Sequence, residues 1–197
     1  MCRFSLIIAT KRKDPLLNQV SHAQLITQDL SRDVMWLESG TPLHERVMFW
    51  PRFPEKTTTR ARLAAQATMI RRALDWADRT GGWCVVIDEL MWITRNLRLE
   101  REVESAYFQG RTQGVSIIGC AQRPSHVPLL AFSQASYLFL WQSSDKRDLD
   151  RLREISSGFP TSMIDDAARQ LNWHAHEALF VDTKNKELAR VIAPAHL

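Results

Sequence analysis

The stretch Trp83-Cys84-Val85-Val86-Ile87-Asp88-Glu89 decides the fold. Its continuous apolar run is the pattern of a central parallel strand buried on both faces. Two adjacent carboxylates follow directly. In an open parallel sheet, ligands lie beyond the carboxyl ends of the strands. A strand tip ending in Asp88 and Glu89 is therefore placed where a nucleotide would sit. The first carboxylate can hold Mg²⁺, usually through water, and the second can orient or deprotonate an attacking water. Taken alone, the run also fits a strand leaving the core into an acidic turn.

Outward from this run, elements alternate strand and helix, which predicts an α/β fold with a mainly parallel sheet flanked by helices. Phe4 to Ala9 and Arg46 to Trp50 read as strands, and Pro15 to Ile26 as mixed and partly helical. Thr58 to Arg79 reads as a helix, with Leu63, Ala67, Ile70, Leu74 and Ala77 forming one apolar stripe. Gly81 and Gly82 end it. A second helix is predicted over Asn96 to Gln109, and buried strands over Val115 to Ala121 and Ser136 to Trp141. Ser144 is expected to cap a helix from Asp145 to about Ser156, with Leu149, Leu152 and Ile155 inward. Ser162 and Asp165 have capping-box spacing for another. Ala178 to Val181 and Glu187 to Ile192 read as a hairpin around Lys184 and Asn185.

The chain has 197 residues and is 45% hydrophobic and 24% charged, which fits one globular domain, 1–197, and excludes a disordered chain. No apolar run is long enough to cross a bilayer. Met1 to Thr10 lacks the order of a signal peptide, because Lys11, Arg12 and Lys13 follow the apolar stretch. A cytoplasmic location is expected. Cys2, Cys84 and Cys120 have no CxxC spacing and are expected to be buried thiols in a reducing compartment. His174 and His176 have no third ligand nearby. The net charge of +4 suits a nucleic-acid partner without requiring one.

A second apolar strand, Gly114-Val-Ser-Ile-Ile-Gly-Cys-Ala-Gln122-Arg123-Pro124-Ser125, ends in a polar amide. On a neighbouring strand tip, Gln122 would lie close to Asp88 and Glu89, able to hydrogen-bond an attacking water or a terminal phosphate. The alternative is a glutamine that merely caps a strand end.

These motifs resemble the FtsK/HerA superfamily of DNA-pumping P-loop ATPases. Val-Val-Ile-Asp88-Glu89 is similar to the Walker B strand. Gly110-Arg111-Thr-Gln-Gly114 with the strand after it resembles the fourth core strand, which commonly ends Ala-Thr-Gln-Arg-Pro. Ser136 to Ser143 and Asp145 to Leu152 resemble the strand and helix that come next. The resemblance is clearest from Trp83 to Gly158. Phe4 to Lys11 resembles the strand after the first helix, which often ends Asp-x-Lys; Ala9-Thr10-Lys11 stands here instead.

The resemblance implies a RecA-like ATPase core, incomplete at its N-terminus, in a hexameric ring that couples ATP hydrolysis to movement of double-stranded DNA. It implies ATP and Mg²⁺ as cofactors, Asp88 as the metal-associated and nucleotide-binding acid, Glu89 as catalytic base and Gln122 as sensor of the terminal phosphate. Arg111, before the sensor strand, would reach a neighbouring subunit's site and neutralise transition-state charge. Arg95, Arg98 and Arg101 are candidates for phosphate contact, although their alternation with Glu100 and Glu102 suits a solvated helix.

No G-x-x-x-x-G-K-[ST] pattern occurs in the chain. That loop cradles phosphates with backbone amides and supplies a lysine. Either the loop lies on an upstream segment, or the chain is a non-catalytic subunit that docks with a motor. A third reading, a metal-dependent nuclease built on Asp88 and Glu89, would need further acids, for which only Asp145 and Asp148 are available.

Overall fold

The computed structural model describes residues 2–11, 14–15, 17–20, 23–26, 43–155 and 159–193. The chain divides into two compact units, 1–122 and 123–197.

The first unit is built on a five-stranded sheet: β1 (Phe4–Ile8), β2 (Gln24–Ile26), β3 (Arg46–Phe49), β4 (Trp83–Ile87) and β5 (Ser116–Gly119), in the order β2-β3-β1-β4-β5. Every pairing is parallel, with Ile8 level with Ile87 and Ile87 level with Gly119. This is the expected α/β class. In the segment read as partly helical, the described residues form a short 3₁₀ turn, Leu17–Gln19, and then strand β2.

Helix α1 (Thr59–Thr80) starts at Thr58, whose side chain accepts from the Ala61 N–H. It ends at Gly81, where φ is 64°, a conformation that glycine adopts without strain. Ile70, Leu74 and Ala77 of the predicted stripe are buried, together with Gln66 and Ala73. Trp83, fully buried at the start of β4, packs on Trp76 of α1 and Phe4 of β1 with ring centroids 4.6 and 5.2 Å away. Its indole N–H donates to the Thr80 hydroxyl at 3.0 Å.

The second predicted helix starts later than the pattern suggested. Trp92–Asn96 forms a π-helical turn, Arg98 takes a positive φ of 57°, and α2 covers Glu100–Gln109.

Strand β5 closes one side of this sheet and pairs only with β4 among the described strands. The Cys120 N–H and C=O both bond toward β4, at 2.9 Å to Ile87 and 2.8 Å from Leu90. Alternation along a strand therefore turns the backbone groups of Gly119 and Ala121 to the outer edge. Ile118 is 52% exposed. The same exposure corrects the reading of the cysteines: Cys2 and Cys84 are half-buried, but Cys120 lies exposed just past β5.

In the second unit, β6 (Tyr137–Leu140), β7 (Glu177–Asp182) and β8 (Glu187–Ile192) form an antiparallel sheet. The expectation of a further central parallel strand over Ser136 to Trp141 is thus corrected. β6 finds its neighbour in the β7–β8 hairpin, which turns at Lys184 and Asn185 as expected. Leu140, Leu179 and Val181 pack with Leu149 and Leu152 of α4 (Lys146–Ile155) and Ile164 and Ala168 of α5 (Thr161–Gln170). A six-residue helix α3, Leu129–Gln134, precedes β6.

The cap of α4 is Asp145 in place of Ser144, its carboxylate accepting from the Arg147 and Asp148 N–H groups at 2.9 and 3.4 Å. Pro160 starts α5, leaving Ser162 inside the first turn, and Asp165 pairs with Arg153. Arg12 and Lys13, residues 156–158 and the Ile155 side chain lie outside the described parts.

Candidate active site at the tips of β4 and β5

The parallel register brings Asp88, Glu89 and Gln122 to one end of the sheet. Asp88 follows β4, and its N–H donates to Ile8 of β1 at 3.2 Å. One carboxylate oxygen of Asp88 accepts twice from Thr10, from the backbone N–H at 3.2 Å and the hydroxyl at 3.1 Å. The other lies 3.6 Å from the Lys11 ammonium. Lys11 also holds Asp14 at 3.0 Å, and this hydrogen bond, more than Asp88, keeps its pKa above the usual lysine range. The strand that lacks the expected Asp-x-Lys therefore still delivers two groups, Thr10 and Lys11, to the acid at the neighbouring tip.

Glu89 is 8% exposed. Burial pushes its carboxyl above the usual range, and neighbouring Asp88 adds to that; backbone hydrogen bonds from Met91 and Gln122 and the charge of Lys11 oppose it. The oxygen Oε1 has no protein partner. A buried carboxylate oxygen without a donor costs free energy unless a ligand or water meets it. The Met91 and Gln122 N–H groups approach Glu89 from its own chain and from just past β5, close enough to lower its pKa. A carboxyl whose proton affinity is raised by burial and which is presented at a strand tip is suited to take a proton from water.

Gln122 thus joins the site through its backbone. Arg111 does not. It is exposed in the turn before β5, at the amino end of the strand and so at the opposite end of the sheet from Asp88. Gly114 and Gly119 have the spacing of the first and last glycines of a phosphate loop, but Cys120-Ala121 follows them and the residues between form β5.

Residues that sequence reasoning passed over hold the motifs in place. Gln66, on the helix over Thr59–Thr80 but outside its predicted stripe, is buried and bonds to Thr10 and Trp92. Arg123 is fixed within the second unit by Asp145 at 2.6 Å and Asp148 at 3.2 Å, and Asp148 also accepts from the Ser125 N–H. The two acids considered for a nuclease are therefore committed to Arg123 and to the start of α4. His174 lies in a 3₁₀ turn against Trp173, and among the described residues no group of three or more His, Cys, Asp or Glu could hold a metal on its own. No described helix is long and apolar enough to cross a membrane.

A parallel sheet flanked by helices, with an acidic pair at the end of an inner strand, matches a P-loop NTPase-like fold. Among solved structures the chain is similar to the genome packaging NTPase B204 of Sulfolobus turreted icosahedral virus 2. With that protein in complex with ATP-gammaS, the TM-score is 0.60 at 14% identity, over 98% of this chain and 84% of that one. The complex with AMPPCP gives 0.55 at 13% identity, over 99% and 98%. B204 described as the DNA-packaging ATPase of Sulfolobus turreted icosahedral virus gives 0.52 at 17% identity, over 98% of both chains. No protein-family model and no curated protein matches the sequence.

Proposed function

We propose that this chain is part of the ATPase core of an FtsK/HerA-type motor that moves double-stranded DNA, working in an oligomeric ring. The observation that carries the proposal is the convergence of Asp88, buried Glu89 and Gln122 at the tips of adjacent parallel strands. Glu89 is the base that takes the proton of the attacking water. Gln122 places a donor beside it and senses the terminal phosphate. Asp88 is the acid nearest the metal. Arg111, remote from the acids of its own sheet, acts on the site of a neighbouring subunit.

Mg²⁺ fits this site as an ion brought by the nucleotide. Asp88 is the carboxylate that meets it, leaving the unpartnered Oε1 of Glu89 for the attacking water. Mg²⁺ is commonly held by one or two carboxylates together with substrate phosphates and water. When bound, it neutralises charge on the phosphates. Thr10 and Lys11 keep Asp88 oriented for that contact.

The phosphate-binding loop comes from outside these residues, on a strand that pairs with the outer edge of β5. That edge has no charge or proline from Val115 to Gln122, whereas natural sheet edges are usually blunted by both. A strand there would be two positions from β4, on the order of 10 Å away, which brings its following turn toward Asp88. Both units, 1–197, then belong to one core.

The missing loop also favours a second reading, a non-catalytic subunit that docks with a motor. ATP turnover by the natural polypeptide separates the two. The motor reading expects DNA-stimulated hydrolysis that is lost in Glu89→Gln with ATP still bound. A natural polypeptide that neither binds nor hydrolyses ATP supports the docking reading.

A further inference from the structure

We propose that Gln66 is a positioning residue for Asp88, acting through Thr10, and that Trp92 locks Gln66 in the orientation this requires. The inference rests on the role given to Asp88 above.

Gln66 is 4% exposed on the inner face of α1. An amide buried there without partners would cost roughly 1–3 kcal/mol. Both of its ends are engaged. Its Nε2 donates to the Thr10 carbonyl at 3.1 Å, and its Oε1 accepts from the Trp92 indole N–H at 3.1 Å. The two partners leave only one orientation of the amide. An indole N–H can only donate and a carbonyl can only accept, so oxygen must face Trp92 and nitrogen must face Thr10.

Thr10 needs this support. Its N–H and hydroxyl converge on the same oxygen of Asp88. Both reach one atom only if the backbone just past β1 is held at a fixed angle, and the Thr10 carbonyl is the handle. The next carbonyl, Lys11, is held the same way by the indole of buried Trp50 at 2.6 Å. Two consecutive peptide groups outside a strand are thus tied down by side chains from α1 and the end of β3.

Trp92 lies on the π-helical turn that leaves Asp88 and Glu89. The bonds therefore run from Asp88 to Thr10, to Gln66, to Trp92 and back along the chain to Asp88. This closed circuit ties the acid to three elements. Partners one step removed from a metal ligand typically alter metal affinity about 10–100-fold when lost.

The test uses the 197-residue chain. Gln66→Met removes both bonds and keeps the side chain's length. Hydrogen exchange of the Thr10 amide, read by NMR, is expected to speed up about tenfold or more, while the Val85 and Phe49 amides stay within roughly twofold. Thr10 exchange that does not change, or that rises by the same factor as Val85 and Phe49, overturns the proposal. If Gln66→Met does not fold, Trp92→Phe removes the orienting donor alone, and unchanged Thr10 exchange there overturns it equally. An unchanged metal dependence of ATP turnover in Asp88→Asn of the natural polypeptide would defeat the metal role of Asp88, while the Thr10 amide would still decide the role of Gln66.

Discussion

The backbone N–H of Gln122, just past β5, approaches the carboxylate of Glu89 that follows β4 and lowers its pKa. Glu89 nevertheless keeps a raised pKa, because burial outweighs the donors. The unfolded chain has the ordinary value. Between those two values the folded protein keeps a proton that the unfolded chain has released, so stability falls as pH rises through that window. Glu89→Gln cannot ionise. It is expected to raise the unfolding midpoint relative to the unaltered chain at neutral pH, with the difference vanishing near about pH 4, where both forms are protonated. Thermal unfolding across pH checks this.

Tyr107 extends the same logic to alkaline solution. Burial pushes its phenol up to about 12. The unfolded chain loses the proton at the ordinary value near 10, so stability is full below about pH 10 and is lost as pH climbs toward the folded value. The loss is on the order of 2–3 kcal/mol for a shift of this size. Tyr107→Phe is expected to flatten that part of the profile, measured by denaturant unfolding at successive pH values.

Gly119 has no room for a side chain. A Cβ there would strike the Leu90 side chain and lie 2.5 Å from the Tyr107 hydroxyl. Leu90 is buried directly after Glu89, and its N–H bonds to Cys120. Gly119→Ala is expected to destabilise the chain by roughly 1–3 kcal/mol, the usual cost of overpacking. The shift of Leu90 should also lower Glu89-dependent turnover in the natural polypeptide. Chemical denaturation and a steady-state assay read the two effects.

Ile118 separates the open edge from the core. In the 197-residue chain it is half-exposed, so Ile118→Lys should change stability by less than about 0.5 kcal/mol. With the proposed loop-bearing strand paired on β5, the same change is expected to cost roughly 1–3 kcal/mol. Equal effects in both would remove the support for a strand at that edge.

Much of this arrangement was legible in the residues. The apolar run into Asp88-Glu89 and the stripe on α1 each depend on local periodicity, and the structure keeps both, while β5 ends at Gly119, three residues before Gln122. Short apolar runs are more ambiguous. Tyr137 to Leu140 reads the same whether its neighbour is parallel or antiparallel, and only the β7–β8 hairpin decides. The exposure of Cys120 and Ile118 depends on what pairs with β5, which no local pattern encodes. Gln66, Thr10 and Trp92 lie far apart in the chain, and each alone looks like an ordinary helix, loop or turn residue. Their joint role exists only once β1, α1 and β4 are packed. Arg98, at a positive φ without being glycine, broke the first turn of the expected helix, so that α2 begins only at Glu100.

The most direct test is ATP turnover by the natural polypeptide with Glu89 intact and as Glu89→Gln, with double-stranded DNA present. The account predicts that the variant binds ATP and hydrolyses it at least about 100-fold more slowly. Hydrolysis at the unaltered rate in Glu89→Gln would contradict it.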